Sequence, residues 1–315
     1  MRTRQIMTFL RLLAFACVAT ATTAGTAAPR VLVSIPPIHS LTMSIMDGVA
    51  TPELLLRGPV SPHDYRMRPS DARKLYNAEV IVTVGPPLEW FLNRALKNLD
   101  NDVAVIRLLD DKQLLRLRLQ SVDSRGHGGL ASKDQDTNVD DSNKLDPHIW
   151  LNPRNAMRIT TIIADTLVAK DPENAARYAH NRDRTIERLQ RLDGELDARL
   201  RPLGSHAYLV YHDALRYLQE HYGLRAAEVV TTSPGRAPGA RRLRELRKTI
   251  RSANIRCAFR EPQLPSPAID QLLRDARVQV GTLDPLGTEL APGAQAYFQL
   301  MRRLAGTIAD CLQQR

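Results

Sequence analysis

Three of the eight histidines in this 315-residue chain stand in unusual company. His63 lies in SPHDYRMRPSD (61–71), His148 in KLDPHIWLNP (144–153) and His212 in LVYHDALRYLQEHYGL (209–224). A fourth candidate, Asp284 in GTLDPLGTE (281–289), also follows an apolar run. Three imidazoles and one carboxylate make a sensible four-coordinate shell for Zn2+, a borderline-soft ion. Their separations in sequence are long, so spacing alone defines no metal motif, and a lone histidine is more often structural or on the surface. Asp64, Asp146 and Asp213 neighbour the histidines and could orient imidazoles by hydrogen bonding, or equally cap turns. The remaining histidines read as bland. His39 follows Pro36-Pro37 and suits a cleft wall or core, and His180 and His206 suit the surface. His221, nine residues after His212, is turned by about 900° on a helix and faces the opposite side.

The elements that must position these residues are short apolar runs alternating with helical patterns. VLVSI (31–35), ELLL (53–56), EVIVTVG (79–85) and VAVIRL (103–108) read as strands, as do AYLVY (207–211), AEVVTT (227–232), IRCAF (255–259) and VQVGTL (278–283). SDARKLYNA, with Ser70 as its N-cap, and LEWFLNRALKNL read as helices in the first half. Near-continuous apolar strands separated by helices imply parallel sheets covered on both faces. The expectation is an α/β protein of two lobes, each with a parallel sheet flanked by helices. Asn152-Pro153 and Asp171-Pro172 open two helices between the lobes. In the second, Ile186, Leu189, Leu192, Leu196 and Leu200 recur every three or four residues, predicting a rod from 172 to 201 of roughly 45 Å. The expected division is a leader (1–28), an N-terminal lobe (29–170), a linking helix (171–203) and a C-terminal lobe (204–315). All four candidate ligands sit at strand ends. Open α/β sheets bind ligands beyond the carboxyl ends of their strands, so a cleft between the lobes could use all four.

Charge and cysteine count have to be read after the first segment. MRTRQIMTFLRLLAFACVATATTAGTAA carries Arg2, Arg4 and Arg11, a short apolar core and small residues, the layout of a secretory signal peptide cleaved near Ala27 or Ala28. Phe15 stands where a lipoprotein signal needs a small residue before Cys17. Losing 1–28 lowers the net charge from +10 to +7. No later stretch approaches the length of a transmembrane helix. Cys257 and Cys311 remain, a disulfide candidate in an oxidising compartment, with two buried free thiols as the other reading. The polar segment 121–144 reads as a long mobile loop. RRLRELRKTIRSANIR (241–256) places Leu243, Leu246 and Ile250 on one face, so its arginines form a solvated helix face. No aromatics interleave there, which argues against a nucleic-acid partner.

Taken together, SPHDYRMRPSD, DPHIWLNP, YHDALRYL with HYGL, FREPQ and GTLDPLGTE, in this order, resemble the zinc-uptake periplasmic binding proteins of ABC importers (ZnuA-like, cluster A-I). The resemblance spans essentially the whole mature chain. It implies two α/β lobes joined by a long rigid helix, with metal in the cleft. It also implies an ABC permease as partner, peripheral membrane contact through that permease, and a monomer. Its histidine ligands fall on His63, His148 and His212. Its carboxylate falls on Asp284, which in zinc members shares or yields its place to water. Manganese-carrying relatives have Glu at the position of His212, so a histidine there implies zinc. The Cys257–Cys311 pair resembles the disulfide of zinc-type members. The chain departs from the family in its 121–144 loop, which has five Asp but only His127 where many zinc members are His-rich. Competing readings are a manganese or iron receptor of the same fold, a zinc-dependent hydrolase and an adhesin-like surface protein. The hydrolase lacks an HExxH motif.

Overall fold

A computed structural model describes residues 27–119, 144–226, 228–231, 238–264 and 267–313. Nearly all of the leader, Cys17 among it, and residues 121–143 of the polar loop, His127 among them, lie outside the described residues. Among the described residues, eight short strands form two sheets, each entirely parallel. In the first half, β1 (Val31–Val33), β2 (Glu53–Leu54), β3 (Val80–Thr83) and β4 (Ala104–Arg107) assemble in the order β2-β1-β3-β4. In the second, β5 (Tyr208–His212), β6 (Glu228–Thr231), β7 (Cys257–Arg260) and β8 (Gln279–Thr282) repeat it as β6-β5-β7-β8. Each sheet therefore has a topological switch point, between β1 and β3 and between β5 and β7. Parallel sheets open a crevice at such points, because successive crossovers leave there to opposite faces.

The helices are α1 (Pro36–Ile45), α2 (Pro69–Asn77), α3 (Asn93–Leu96), α4 (Pro153–Lys170), α5 (Ala175–Leu200), α6 (Arg216–Tyr222), α7 (Ala240–Ser252), α8 (Pro267–Asp275) and α9 (Ala296–Gln313). Asn152 caps α4 as its sequence implies, accepting from the Arg154 and Asn155 amides. Ser70 is not the cap of α2. Pro69 takes the first helical position, which makes Arg68 the N-cap, and Asp71 reaches back to accept from the Arg68 amide at 2.8 Å. LEWFLNRALKNL is less helical than its pattern implies: a 3-10 turn at Trp90–Leu92 runs into the four residues of α3.

The linking helix α5 has 26 residues, about 39 Å at 1.5 Å each, entered through a 3-10 turn at Pro172–Asn174. Tyr178, Asn181, Thr185, Leu189, Leu192, Leu196 and Leu200 form its buried stripe. Thr185, not Ile186, takes the inward position, and its hydroxyl is satisfied by the Asn181 carbonyl at 2.7 Å. Asn181 in turn donates to the carbonyls of Ile45 and Asp47, closing the C-terminal end of α1. This helix packs against α1 and α4 and also against α9. The C-terminal helix α9 itself lies on α1, where Ser40 links the two: its hydroxyl donates to the Gly293 carbonyl and accepts from the Tyr297 amide. One buried apolar cluster consequently runs from Val33 and Ile38 through Leu189 and Leu196 to Tyr297, Met301 and Ile308. A smaller cluster around Leu246, Ile250 and Leu272 lies beneath α7 and α8. Among the described residues, no helix is long and apolar enough to cross a membrane.

Cys257 in β7 and Cys311 in α9 form a disulfide that ties the second sheet to the last helix across 54 residues. A closed loop of that length restricts the unfolded chain by about 4 kcal/mol in the chain-entropy model. The Cys257→Ser, Cys311→Ser double variant should therefore unfold several degrees below the oxidised protein in a thermal melt. Coincident melts in oxidising buffer would show that the crosslink contributes no stability.

Candidate metal centre

The second sheet contributes to the site from its switch point, whereas the first contributes from segments that follow its edge strands, β2 and β4. On the C-terminal side, His212 is the last residue of β5, and Glu261 follows the last residue of the neighbouring β7. The N-terminal side contributes His63, from the turn after β2, and His148, which precedes a 3-10 turn leading to α4. One nitrogen from each of His63, His148 and His212 lies within 4.8 Å of the others. Their ring centroids are 5.0–5.5 Å apart. Imidazoles so close can offer three lone pairs to one point only if they are neutral.

Two of the rings rest against carboxylates. Asp146, buried, accepts at 2.8 Å from Nδ1 of His148 when that nitrogen carries the proton, and also accepts from the His148 amide at 3.0 Å. Glu261 brings Oε1 to 3.3 Å from Nδ1 of His212, without the alignment of a hydrogen bond. A carboxylate at Nδ1 favours the tautomer that leaves Nε2 free as a ligand. Among the described residues, His63 has no acidic partner. Its backbone is fixed instead, the amide by Ser61 Oγ at 3.3 Å and the carbonyl by the Trp90 indole N–H at 2.9 Å. His148 and His212 are 4% and 5% exposed, whereas His63 is half-buried.

Titration behaviour separates the rings. Burial, and then the proximity of His148 and His212, hold His63 well below the usual imidazole value. Burial also pushes His212 down, but Glu261, with Asp146 and Asp213, outweighs it and leaves His212 above the usual value.

Asp284 does not join the histidines. Oδ1 accepts from Gln263 Nε2 at 2.8 Å and the Leu286 amide at 3.1 Å, while Oδ2 accepts from the Thr288 amide and hydroxyl at 2.6 and 2.8 Å. Both oxygens are thus used to hold the 284–288 turn, and a carboxylate so committed would have to abandon four donors to reach a metal. Besides Asp146, the acid beside the histidines is Glu261, which shares the small cavity they line with Gln263, Trp150 and Leu286. Sequence reasoning missed it, although FREPQ places Glu261 at a strand end like the other site residues. Of the neighbouring acids, Asp146 touches a ring, Asp213 acts on His212 through its charge, and Asp64 is exposed. His39 is buried on the Pro52 carbonyl, His221 pairs with Asp193, and His180 and His206 are exposed.

Behind His63 lies a second missed residue, Glu89. Its fully buried carboxylate accepts from Ser34 Oγ at 2.5 Å, the Val84 amide at 3.0 Å and the Gly85 amide at 2.8 Å. Gly85 turns the chain at φ 144°, and a Cβ there would meet Leu109 at 3.3 Å. Burial pushes the Glu89 carboxyl up, opposed by these donors. It bridges the ends of β1 and β3 at the first switch point.

Two parallel α/β sheets facing across a cleft, with three converging imidazoles between them, define a two-lobed metal-binding receptor. The family model for the zinc-uptake complex component A, periplasmic, matches residues 31–311, and the chain belongs to that family, one of uptake receptors rather than enzymes. It is 34% identical over 304 residues to the high-affinity zinc uptake system protein ZnuA of Brucella abortus (strain 2308), covering 90% of this chain and 91% of that protein. The fold is similar to a crystal structure of ZnuA (TM-score 0.75, 25% identity, 91% of this chain and all of that one). It is equally similar to a zinc-bound ZnuA lacking residues 138–173 of its own numbering (TM-score 0.74, 25% identity, 91% and 99%).

In an NMR titration of the metal-free protein, His63 should protonate below pH 6.5 and His212 above it. The reverse order would mean that Glu261 does not act on His212.

Proposed function

We propose that this chain captures Zn2+ in the cleft through His63, His148 and His212 and delivers it to an ABC permease for uptake. The convergence of three imidazole nitrogens within 4.8 Å carries this reading. A set of three nitrogen donors suits zinc, whereas manganese favours more oxygen. The tie-up of Asp284 leaves the fourth position to solvent. Membership of an uptake-complex family, together with relatives named for high-affinity zinc uptake, supports the role over a manganese receptor or a hydrolase. The leader at 1–28 would export the chain to the periplasm, and the Cys257–Cys311 disulfide suits that oxidising space. The mature receptor works as a monomer whose 29–170 and 204–315 lobes flank the 171–203 linking helix, touching the membrane only through the permease.

Binding must displace protons, and the group above the usual imidazole value is His212. Zinc affinity should therefore begin to fall while the pH is still above 6.5, with the released proton coming from His212 rather than His63. Calorimetry in buffers of different ionisation enthalpy counts that proton.

Zinc titration of the demetallated protein should give one tight site. His63→Ala, His148→Ala and His212→Ala should each weaken it by at least about 100-fold, and Asp146→Ala, which frees the His148 ring, by about 10–100-fold. Wild-type affinity in all three histidine variants would rule the site out, and tighter binding of Mn2+ than Zn2+ would rule out the choice of metal.

A further inference from the structure

His63 differs from its two companions in how it is held. Each of the others has a carboxylate of its own lobe beside its ring, Asp146 bonded to His148 at 2.8 Å and Glu261 at 3.3 Å from His212. The His63 segment is fixed through its backbone, and its one close bond from outside that turn is the Trp90 indole N–H to the His63 carbonyl at 2.9 Å. Trp90 is an unexpected residue at which to find a structural bond, because it is 52% exposed, among the most exposed large apolar side chains described. Its mount is rigid nonetheless. The preceding residue is Glu89, whose buried carboxylate joins the ends of β1 and β3 through Ser34, Val84 and Gly85. The chain Glu89–Trp90–His63 thus transmits the position of the first sheet to the one ligand that lies on a turn and is only half-buried.

We propose that Trp90 is a positioning residue for His63 and sets how fast zinc leaves the site. This deepens the three-histidine reading and rests on it. When the tether is in place, the His63 ring is held over the other two. Without it the turn at 62–64 loses its link to the sheet, and His63 swings away from the ion first, since the remaining rings are buried and each has a carboxylate beside it. Water reaches the ion past His63, so loss of that ligand begins release. The exposed indole also puts the tether where a partner that docks on the cleft could break it without entering the site.

The test is zinc dissociation into a chromophoric chelator, followed by stopped flow, for the full mature protein. Trp90→Phe keeps the aromatic ring and removes the N–H. It should speed dissociation by about two- to tenfold, the range of one net hydrogen bond, while the metal-free melting temperature stays at the wild-type value. The same substitution in a His63→Ala background should change the rate no further, because the tether then has no ligand to position. An unchanged rate in Trp90→Phe overturns the proposal. So does an equal acceleration in both backgrounds, which would mark Trp90 as merely structural. If His63→Ala alone binds and releases zinc as the wild type does, it is the three-histidine reading that fails, and the proposal falls with it.

Discussion

Three imidazole rings packed 5.0–5.5 Å apart, two of them buried, can coexist only if their protons are managed, and the rest of the site follows from that constraint. Like charges at this distance repel strongly where water is scarce, so the rings must be neutral or relieved by acids. The two most buried rings each have a carboxylate at Nδ1, one from each lobe. The third has none and is held low by burial and by its neighbours. The same arrangement that keeps the rings neutral also aims their free nitrogens at one point, which is what a captured cation requires.

Bringing that point into being depends on how the lobes are joined. His63 and His148 belong to one sheet and His212 to the other, so their spacing is a statement about the whole molecule. The shared apolar cluster running through α5 and α9 makes relative movement of the lobes costly, since sliding would uncover Leu189, Leu196, Tyr297 and Met301 together. Polar ties reinforce it beside the site. Trp150, next to His148, donates to the Pro285 carbonyl at 2.9 Å, and Tyr297 of α9 donates back to the Trp150 carbonyl at 2.7 Å. Tyr217 on α6, one turn beyond His212, donates to the Asp146 carbonyl at 2.9 Å and accepts from the Leu117 amide. A receptor so constrained has its ligands preorganised, with His63 held through its backbone rather than its ring.

How much was legible depended on whether a signal was local. Strand runs, the Asn152-Pro153 cap and the Leu189–Leu200 stripe are local patterns, and the structure places them within a few residues of expectation. Ser70 failed as a cap because Pro69 is better suited to the first helical position. LEWFLNRALKNL broke its helical pattern because Glu89 and Trp90 are committed to the ends of β1 and β3 and to His63. Asp284 is the most instructive case. Its place after a strand marks it as a ligand candidate like the others, but Thr288 four residues on supplies both a backbone and a hydroxyl donor, and the turn claims the carboxylate.

By itself the sequence determined the two parallel sheets, the long helix between them and the three histidine-bearing segments at strand ends, because alternation, capping and strand-end position are written in neighbouring residues. Tertiary structure alone decided that Glu261 comes to lie beside His212, that Asp284 is engaged by Gln263 and Thr288, that Glu89 joins the ends of β1 and β3, and that an exposed tryptophan bonds the His63 carbonyl. Those choices turn on which of several chemically equivalent oxygens and N–H groups meet across 20 to 60 residues of chain, and a carboxylate already satisfied by nearer donors has no free energy to gain from a more distant role.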